Sequence, residues 1–218
     1  MPGKPGFVVS KLLKQLEMPP TITRENNYWK HSVNVVVGVD EVGRGSLAGP
    51  VVAAAVCFYP GHQPIKGIRD SKQVTQRNRI LLSNLIHQQA QKVVLREVSV
   101  KVINAKGIAV ATKLAITRCL GAFSRIDRAL IDGVWAPKSI FPCESIIRGD
   151  AACYSIAAAS IVAKVYRDEL MKKISVQYPK YRWDQNMGYG TALHRMILRK
   201  LGPSPHHRTL FIRKCLSN

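Results

Sequence analysis

The sequence predicts an α/β domain in which helices cover both faces of a mixed β-sheet. Apolar runs rich in β-branched residues recur at 35–39, 51–57 and 129–131, and stretches with helical spacing alternate with them. Short strands that alternate with helices favour a sheet flanked by helices. At 218 residues the chain can bury a sizeable core, and its length suits one domain with a small appendage.

The central pattern is VVVGVDEVGRGSLAGPVVAAAVC at residues 35–57. It predicts a buried strand, a glycine-permitted turn and a return strand that begins at Val51. The first strand ends in two adjacent acids, Asp40 and Glu41. Desolvation and mutual repulsion make such a pair costly, which indicates a bound cation. The alternative is that either acid pairs with Arg44 or caps a turn.

The remaining elements follow from periodicity and from helix and turn signals. Helices are predicted at 75–91, 103–123, 151–174 and from Thr191 to Gly202, and strands at 93–100, 129–131 and 145–147. Gly107 falls inside the second of these helices. Asp132 ends one short strand, where an acid before glycine is ordinarily a turn residue. Asp150 precedes the long alanine-rich helix, where aspartate is also a good N-cap.

Residues 1–32 are predicted to form a separate N-terminal extension, and residues 33–218 a single domain with C-terminal helices. Within the extension, apolar residues between positions 7 and 16 have roughly helical spacing and precede Pro19-Pro20. The pattern indicates one short, basic, amphipathic helix. We expect it to dock on the body or to fray, in preference to binding a membrane or a partner.

Charge indicates the kind of partner. Lys and Arg number 33 against 13 Asp and Glu, a formal net charge of +20 that points to a polyanion, most simply nucleic acid. The alternative is an anionic membrane surface. Apolar runs are too short for a membrane-spanning helix, and no secretory signal is apparent, so a cytoplasmic protein is expected. The five scattered cysteines predict free thiols and no zinc site.

Several motifs together resemble the ribonuclease HII family, the bacterial type 2 ribonucleases H. They are GVDEVGRGSLAGPVVAAAV at 38–56, Asp70-Ser71-Lys72, GDAACYSIAAASIVAKVYRD at 149–168, the Gly-Tyr-x-Thr motif at 188–191, and a His-Arg-x-x-Phe motif at 207–211. The resemblance spans about residues 33–211. It implies a ribonuclease H-like mixed sheet flanked by helices, with a C-terminal helical segment.

The same resemblance implies the chemistry. Asp40, Glu41, Asp132 and Asp150 would form a metal site, and oxygen ligands without His or Cys suit Mg²⁺ or Mn²⁺. Two ions during catalysis would clamp the attacking water and the leaving oxygen. The implied reaction is hydrolysis of the RNA strand of RNA-DNA hybrids, and incision 5′ of ribonucleotides embedded in duplex DNA. It would leave 5′-phosphate and 3′-hydroxyl ends.

Substrate recognition is also implied by the resemblance. The backbone of Gly43, Arg44 and Gly45 would read 2′-hydroxyls at the RNA-DNA junction, and Tyr189 would stack on the adjoining deoxyribose. The alternative for Tyr189 is a packed core aromatic. Further contacts with the substrate backbone are expected from Ser71, Lys72, Lys164 and Arg167, although basic helix faces are often merely solvated.

Three residues depart from the family pattern, which usually has proline at Ser46, asparagine at Gly107 and lysine at Met187. Three rival hypotheses are a nonhydrolytic nucleic-acid-binding protein on the same scaffold, a membrane-surface protein that uses the extension, and another two-metal nuclease. The first predicts loss of the acids, yet all four are present. We expect an active nuclease that is a monomer and binds no membrane.

Overall fold

The computed structural model describes residues 19–216. The amphipathic helix predicted at residues 7–16 lies outside this range. The strands are β1 (Val36–Val42), β2 (Val51–Cys57), β3 (Lys92–Val98), β4 (Arg128–Asp132) and β5 (Cys143–Ile146). The helices are α1 (Thr23–Lys30), α2 (Gln76–Gln89), α3 (Val100–Lys106), α4 (Ile108–Leu120), α5 (Gly149–Ala152), α6 (Tyr154–Gln177), α7 (Trp183–Asn186), α8 (Ala192–Leu201) and α9 (Thr209–Leu216).

The five strands form one mixed sheet in the order β3-β2-β1-β4-β5. Strands β1, β2 and β3 are antiparallel neighbours, whereas β4 pairs with β1 and β5 in parallel. The parallel register aligns Val39 with Ile131. Asp40 and Asp132 therefore follow at the same level of adjacent strands, and their positions in the sheet bring two of the predicted acids together.

Helices bury both faces of the sheet, as predicted. One apolar core lies between the sheet and α4, with Val37, Val39 and Ile116 among its buried members. A second core on the opposite face includes Ala158 and Ile161 of α6. All seven residues of β2 are buried, because this strand lies under helices on both sides.

The prediction of a single helix at 103–123 is wrong, because the structure has two helices in this region. Gly107 separates α3 from α4 with φ = +81°, outside the helical range. Glycine adopts this conformation without the steric cost of a Cβ, so it ends one helix and begins the next. The helical periodicity continues across the break, which is why the pattern did not reveal it.

Helix α1 was not predicted, and it packs against the body. Its Glu25 is buried, and Oε1 accepts hydrogen bonds from the amide (2.8 Å) and hydroxyl (2.6 Å) of Ser155. Arg24 and Tyr28 both bond to Glu144 on β5. The end of the extension that the structure describes thus contacts the first turn of α6 and the edge strand.

Two sequence-based expectations about composition are met. All five cysteines are free, and four of them are buried. Among the helices of residues 19–216, none combines the length and the apolar character needed to cross a bilayer.

Candidate active site

The four predicted acids line one cavity of about 480 Å³. Strand β1 contributes Asp40 and Glu41, the end of β4 contributes Asp132, and α5 contributes Asp150. Other lining residues come from the turn after β1, from the Asp70-Ser71-Lys72 motif, from α6 and from the segment between α7 and α8; they include Gly43, Gly45, Ser71, Lys72, Ser160, Lys164 and Tyr189.

Hydrogen bonds hold the acids in place. Asp40 is 7% exposed, and its Oδ1 accepts from the Glu41 amide at 2.7 Å. The Ser160 hydroxyl lies 3.0 Å from the Ser71 hydroxyl, which links α6 to the Asp-Ser-Lys motif, and the Ser160 side chain opposes the rise in the pKa of Asp40. Oδ1 of Asp132 accepts from the Gly149 amide at 2.7 Å and so anchors the start of the helix that carries Asp150.

Burial and like charge make ionisation of these acids costly. Burial raises the pKa of Asp40 well above its usual value, and Glu41 and Asp132 raise it further. Burial raises the pKa of Glu41 to about 7, with Arg44 opposing the shift and Asp132 adding to it. The pKa of Asp150 is also raised, by burial and then by Asp70 and Asp132. The cluster therefore favours protons or bound cations.

Pairing with arginine accounts for only one of the acids. Arg44 Nη1 lies 3.5 Å from Glu41 Oε1, as the alternative interpretation of the motif expected. The Arg44 side chain is 57% exposed, so water and salt screen this pair. The Arg44–Glu41 pair does not neutralise Asp40 or Asp132. Another cation would have to balance their charge.

The donor set fits a hard divalent cation that also uses water and substrate oxygens as ligands. All four acids supply oxygen, the ligand that Mg²⁺ and Mn²⁺ prefer. Within residues 19–216, no group of three Asp, Glu, His or Cys side chains stands close enough to hold an ion by itself. Mg²⁺ is usually bound through one or two carboxylates together with waters and phosphates, so an open arrangement of acids suits it.

The glycine-flanked turn forms the wall of the cavity beside β1. Gly43 has φ = +92°, and a Cβ at this position would collide with the Arg167 guanidinium. Both the backbone angle and the packing therefore require glycine. Gly45 differs, because a Cβ there meets no atom of the described chain within 4 Å. Its missing side chain leaves the main chain accessible from the cavity.

Tyr189 is half-buried and lines the same cavity. The Lys164 Nζ lies 5.3 Å from the centre of its ring, and Arg167 Cζ lies at the same distance. Lys164 also donates to Asp168 at 2.7 Å. The ring thus lies close to two cationic side chains and still contributes to the cavity wall.

The prediction that Arg167 contacts a substrate phosphate is wrong for its position in this structure. Arg167 is fully buried, and its guanidinium donates to the carbonyls of Pro50 (3.0 Å), Met187 (2.9 Å) and Ala48 (3.1 Å). The spacing of basic residues along α6 did not distinguish the buried face from the exposed one. Arg167 instead joins the main chain after β1 to the main chain before Tyr189 through these carbonyls.

Three residues near the site were not singled out from the sequence. Ser160 opposes the rise in the pKa of Asp40, Asp70 raises the pKa of Asp150 and pairs with Lys72, and buried Arg208 donates to the backbone of the glycine-flanked turn. All three lie inside recognised motifs, which was a usable signal. Ser160 was passed over because a small polar residue on an alanine-rich helix has many ordinary roles.

Comparison with known families decides which group of enzymes has this arrangement. The sequence model described as Ribonuclease HII matches residues 37–214. The chain belongs to the ribonuclease HII family. Curated relatives named Ribonuclease HII include one from Cereibacter sphaeroides, 49% identical over 194 residues, which cover 88% of this chain and 91% of the relative. Another, from Thermosynechococcus vestitus, is 45% identical over 199 residues, which cover 91% and 93%.

Solved structures show the same fold. The ribonuclease H2 from Pyrococcus horikoshii OT3 aligns with a TM-score of 0.69 and 22% identity, covering 84% of this chain and 97% of that one. Bst-RNase HIII in complex with Mn²⁺ aligns with a TM-score of 0.63 and 19% identity, covering 83% and 66%. With its family established, the enzyme is an endoribonuclease, a hydrolase that acts on RNA-DNA hybrids.

Proposed function

We propose that this ribonuclease HII hydrolyses the RNA strand of RNA-DNA hybrids and incises duplex DNA on the 5′ side of embedded ribonucleotides. Two divalent ions would take part, and the products would carry 5′-phosphate and 3′-hydroxyl ends. The observation that carries the proposal is one cavity lined by four acids, an open glycine turn and Tyr189. Ions and acids alone do not distinguish RNA from DNA, so the turn must supply selectivity.

Asp40, Glu41, Asp132 and Asp150 would hold the ions. When bound, two Mg²⁺ or Mn²⁺ ions lower the pKa of an attacking water and stabilise charge on the leaving oxygen. The protein's own contribution is to orient the oxygen ligands. The Glu41 amide does this through its hydrogen bond to Asp40, and the Gly149 amide through its hydrogen bond to Asp132. The Mn²⁺ complex of Bst-RNase HIII supports a divalent cofactor in this fold.

The turn would select the ribonucleotide. The accessible main chain at Gly45 can approach a 2′-hydroxyl, which both donates and accepts hydrogen bonds and is absent from DNA. Tyr189 offers a ring that packs on a sugar lacking this hydroxyl. An RNA-to-DNA step presents the two sugars in sequence, so a single embedded ribonucleotide suffices for recognition.

Phosphate contacts would come from the rim of the cavity. Lys72 is 79% exposed, and Ser71 and Lys164 line the cavity beside it. Contacts of this kind fix the register of the duplex without reading its bases. The net charge of +20 adds a long-range attraction that increases association with either kind of duplex.

The test is incision of a DNA duplex that contains one ribonucleotide, with an all-DNA duplex and a uniform RNA-DNA hybrid alongside. The wild type should cut the first 5′ of the ribonucleotide with Mg²⁺ or Mn²⁺, cut the hybrid and leave DNA intact. Asp40→Asn should bind the duplex and lose cleavage. Cleavage of the hybrid without incision at the single ribonucleotide would contradict the junction proposal, and cleavage in excess EDTA would contradict the metal proposal.

A further inference from the structure

Three main-chain segments meet behind the cavity: the recognition loop (residues 43–50), the tyrosine turn (residues 187–189) and the clamp segment (residues 204–208). The Leu47 amide donates to the Gly188 carbonyl at 2.8 Å, which joins the loop to the turn. On its other side, the loop pairs with the clamp segment through Gly49 N to His206 O (2.9 Å) and Arg208 N to Leu47 O (2.8 Å). The loop is therefore held from both sides.

Arg208 of the clamp segment forms hydrogen bonds to the main chain of the recognition loop. This side chain is fully buried, and its Nε and Nη2 both donate to the Gly49 carbonyl, at 3.0 and 2.8 Å. Its Nη1 donates to the Arg44 carbonyl at 2.9 Å. One rigid guanidinium thus fixes two points of the loop, one of them the residue between the two glycines that face the substrate.

Two histidines connect the clamp segment to the tyrosine turn. The Ser204 amide donates to Nδ1 of His207 at 2.9 Å, so the proton of that ring is on Nε2. His207 Nε2 lies 3.2 Å from Nε2 of His194, which also accepts from Trp183 Nε1 at 3.1 Å. His194 must then carry its proton on Nδ1, which donates to the Tyr189 carbonyl at 2.9 Å.

The direction of every hydrogen bond in this histidine relay is therefore fixed, and both rings are neutral. Burial supports this state, because it lowers the pKa of His194 and lowers that of His207 to about 4. Neither histidine lines the cavity; the relay reaches it only through the backbone of Tyr189. A general-base role is therefore not required to explain why two buried histidines occur here.

Close packing makes the three segments move together. A Cβ at Gly188 would lie 2.5 Å from the Ala48 carbonyl oxygen, so loop and turn touch through their main chains. Gly188 has φ = +77°, which suits glycine for a second reason. A shift of the loop by a fraction of an ångström has to be matched by the turn that carries Tyr189.

We propose that Arg208 and the His207–His194 relay are positioning residues that set selectivity for the RNA-DNA junction. This inference rests on the proposed function, since it assigns junction reading to the loop and to Tyr189. Arg208 holds the main chain that would meet the 2′-hydroxyl, and the relay holds the ring that would meet the next sugar. Together they fix the distance between the loop main chain and the Tyr189 ring. The ribose and the adjoining deoxyribose at a single embedded ribonucleotide must fit this distance.

The test compares two rates for each variant: incision at a single embedded ribonucleotide and cleavage of a uniform hybrid. Arg208→Lys keeps the charge but cannot hold both carbonyls in a fork, so the ratio of the two rates should fall by about tenfold. A uniform hybrid offers many registers, so its cleavage should change less. Tyr189→Ala removes the ring that would pack on the deoxyribose, so it should lower the same ratio.

A variant with a smaller expected effect than Arg208→Lys removes a side chain that supports the clamp segment from α3. Asn104 on α3 bonds to the His207 carbonyl (3.3 Å) and to the Thr209 amide (3.0 Å), on either side of Arg208. Asn104→Ala should lower the ratio about threefold. The backbone on either side of Arg208 loses two hydrogen bonds, while the hydrogen bonds of the Arg208 guanidinium remain. Arg199→Lys is the matched control, because the Arg199 guanidinium donates to the Cys215 carbonyl, which lies outside the three segments. Its ratio should stay at the wild-type value.

The outcomes separate the two proposals. If Tyr189→Ala lowers the ratio while Arg208→Lys and Asn104→Ala match Arg199→Lys, junction reading stands and the positioning role is overturned. If the wild type does not incise at a single ribonucleotide, both proposals fail. Should Arg208→Lys not fold, the ratio for Asn104→Ala decides alone. A merely structural role would lower both rates equally and leave every ratio unchanged.

Discussion

Lys72 reaches into the acidic cavity, where its Nζ lies 3.6 Å from Oδ2 of Asp150. It is equally far from Oδ1 of Asp70. Partial burial alone would lower the pKa of Lys72, but the surrounding carboxylates raise it. The long, largely exposed side chain is free to leave these acids for a phosphate when an ion and a substrate arrive.

Replacing this lysine tests its part in binding. Lys72→Met should raise KM for the hybrid and reduce the salt dependence of duplex affinity by about one unit of slope, with kcat less affected. Binding titrations across a range of salt concentrations measure the slope. Lys138→Met is the control, because Lys138 is exposed and lies outside the cavity lining. An equal effect of both substitutions would show that Lys72 contributes only general charge.

The raised pKa of Glu41 predicts how the stability of the metal-free enzyme depends on pH. This pKa is about 7 in the folded protein, against 4.5 for an ordinary glutamate. The ionised form is disfavoured in the fold, so stability falls as pH rises from about 4.5 to about 7. Glu41→Gln removes this loss, and its advantage should grow by on the order of 3 kcal/mol over that range.

Urea denaturation in EDTA at several pH values measures this difference. Comparing each variant with the wild type at the same pH cancels the titration of groups that do not interact with Glu41, whereas the coupled titration of Asp40 becomes part of the measured difference. Glu169→Gln is the control, since Glu169 is exposed and pairs only with Lys172. A pH-independent difference between Glu41→Gln and wild type would contradict the pKa assignment.

Ser46, where the family pattern quoted in the sequence analysis would have proline, has an unfavourable environment in the structure. Its side-chain oxygen is buried and has no hydrogen-bond partner among residues 19–216. Ser46→Ala should therefore stabilise the protein by about 1 kcal/mol, because it removes an unsatisfied polar group. Ser175→Ala is the matched control: that buried hydroxyl donates to Asp184, so its loss should destabilise by a similar amount. Denaturant titration gives both values, and a loss of stability in Ser46→Ala would refute the assignment.

Glu25 tests whether the end of the N-terminal extension is part of the folded unit. Its carboxylate caps the first turn of α6, the helix that carries Ser160 and Lys164. Glu25→Ala should cost about 1–2 kcal/mol of unfolding free energy, since a buried amide loses its partner. The exposed Glu169→Ala should change stability by less than about 0.5 kcal/mol. Equal values for the two variants would mean that the cap is energetically unimportant.

Much of the fold was predictable from local sequence. The valine-rich runs identified β1 and β2, and the acids at strand ends identified the edge of the sheet where the cavity lies. Local patterns failed where one residue decided the outcome. Gly107 breaks a continuous helical periodicity, and the short polar helix α1 is held by Glu25, whose partner is 130 residues away.

The supports of the site were less predictable than the acids. Arg167 and Arg208 look like surface cations in the sequence, yet both are buried and bind backbone carbonyls. A basic residue on a helix or loop does not reveal which face it occupies. The partners of both arginines are backbone carbonyl groups. Because every residue type has a carbonyl, the sequence around the partner positions does not reveal the contact.

The most direct measurement of the central claim is a Mn²⁺ titration of the wild type and of Asp40→Asn, followed by the electron paramagnetic resonance signal of free Mn²⁺. Each should be titrated alone and with the nicked product duplex. The open arrangement of acids predicts weak binding alone, and two ions bound at least about tenfold more tightly with the duplex, since product phosphate completes their coordination. Asp40→Asn should lose this gain. Binding that neither the duplex nor the substitution changes would contradict the assignment of these acids to a metal-dependent nuclease site.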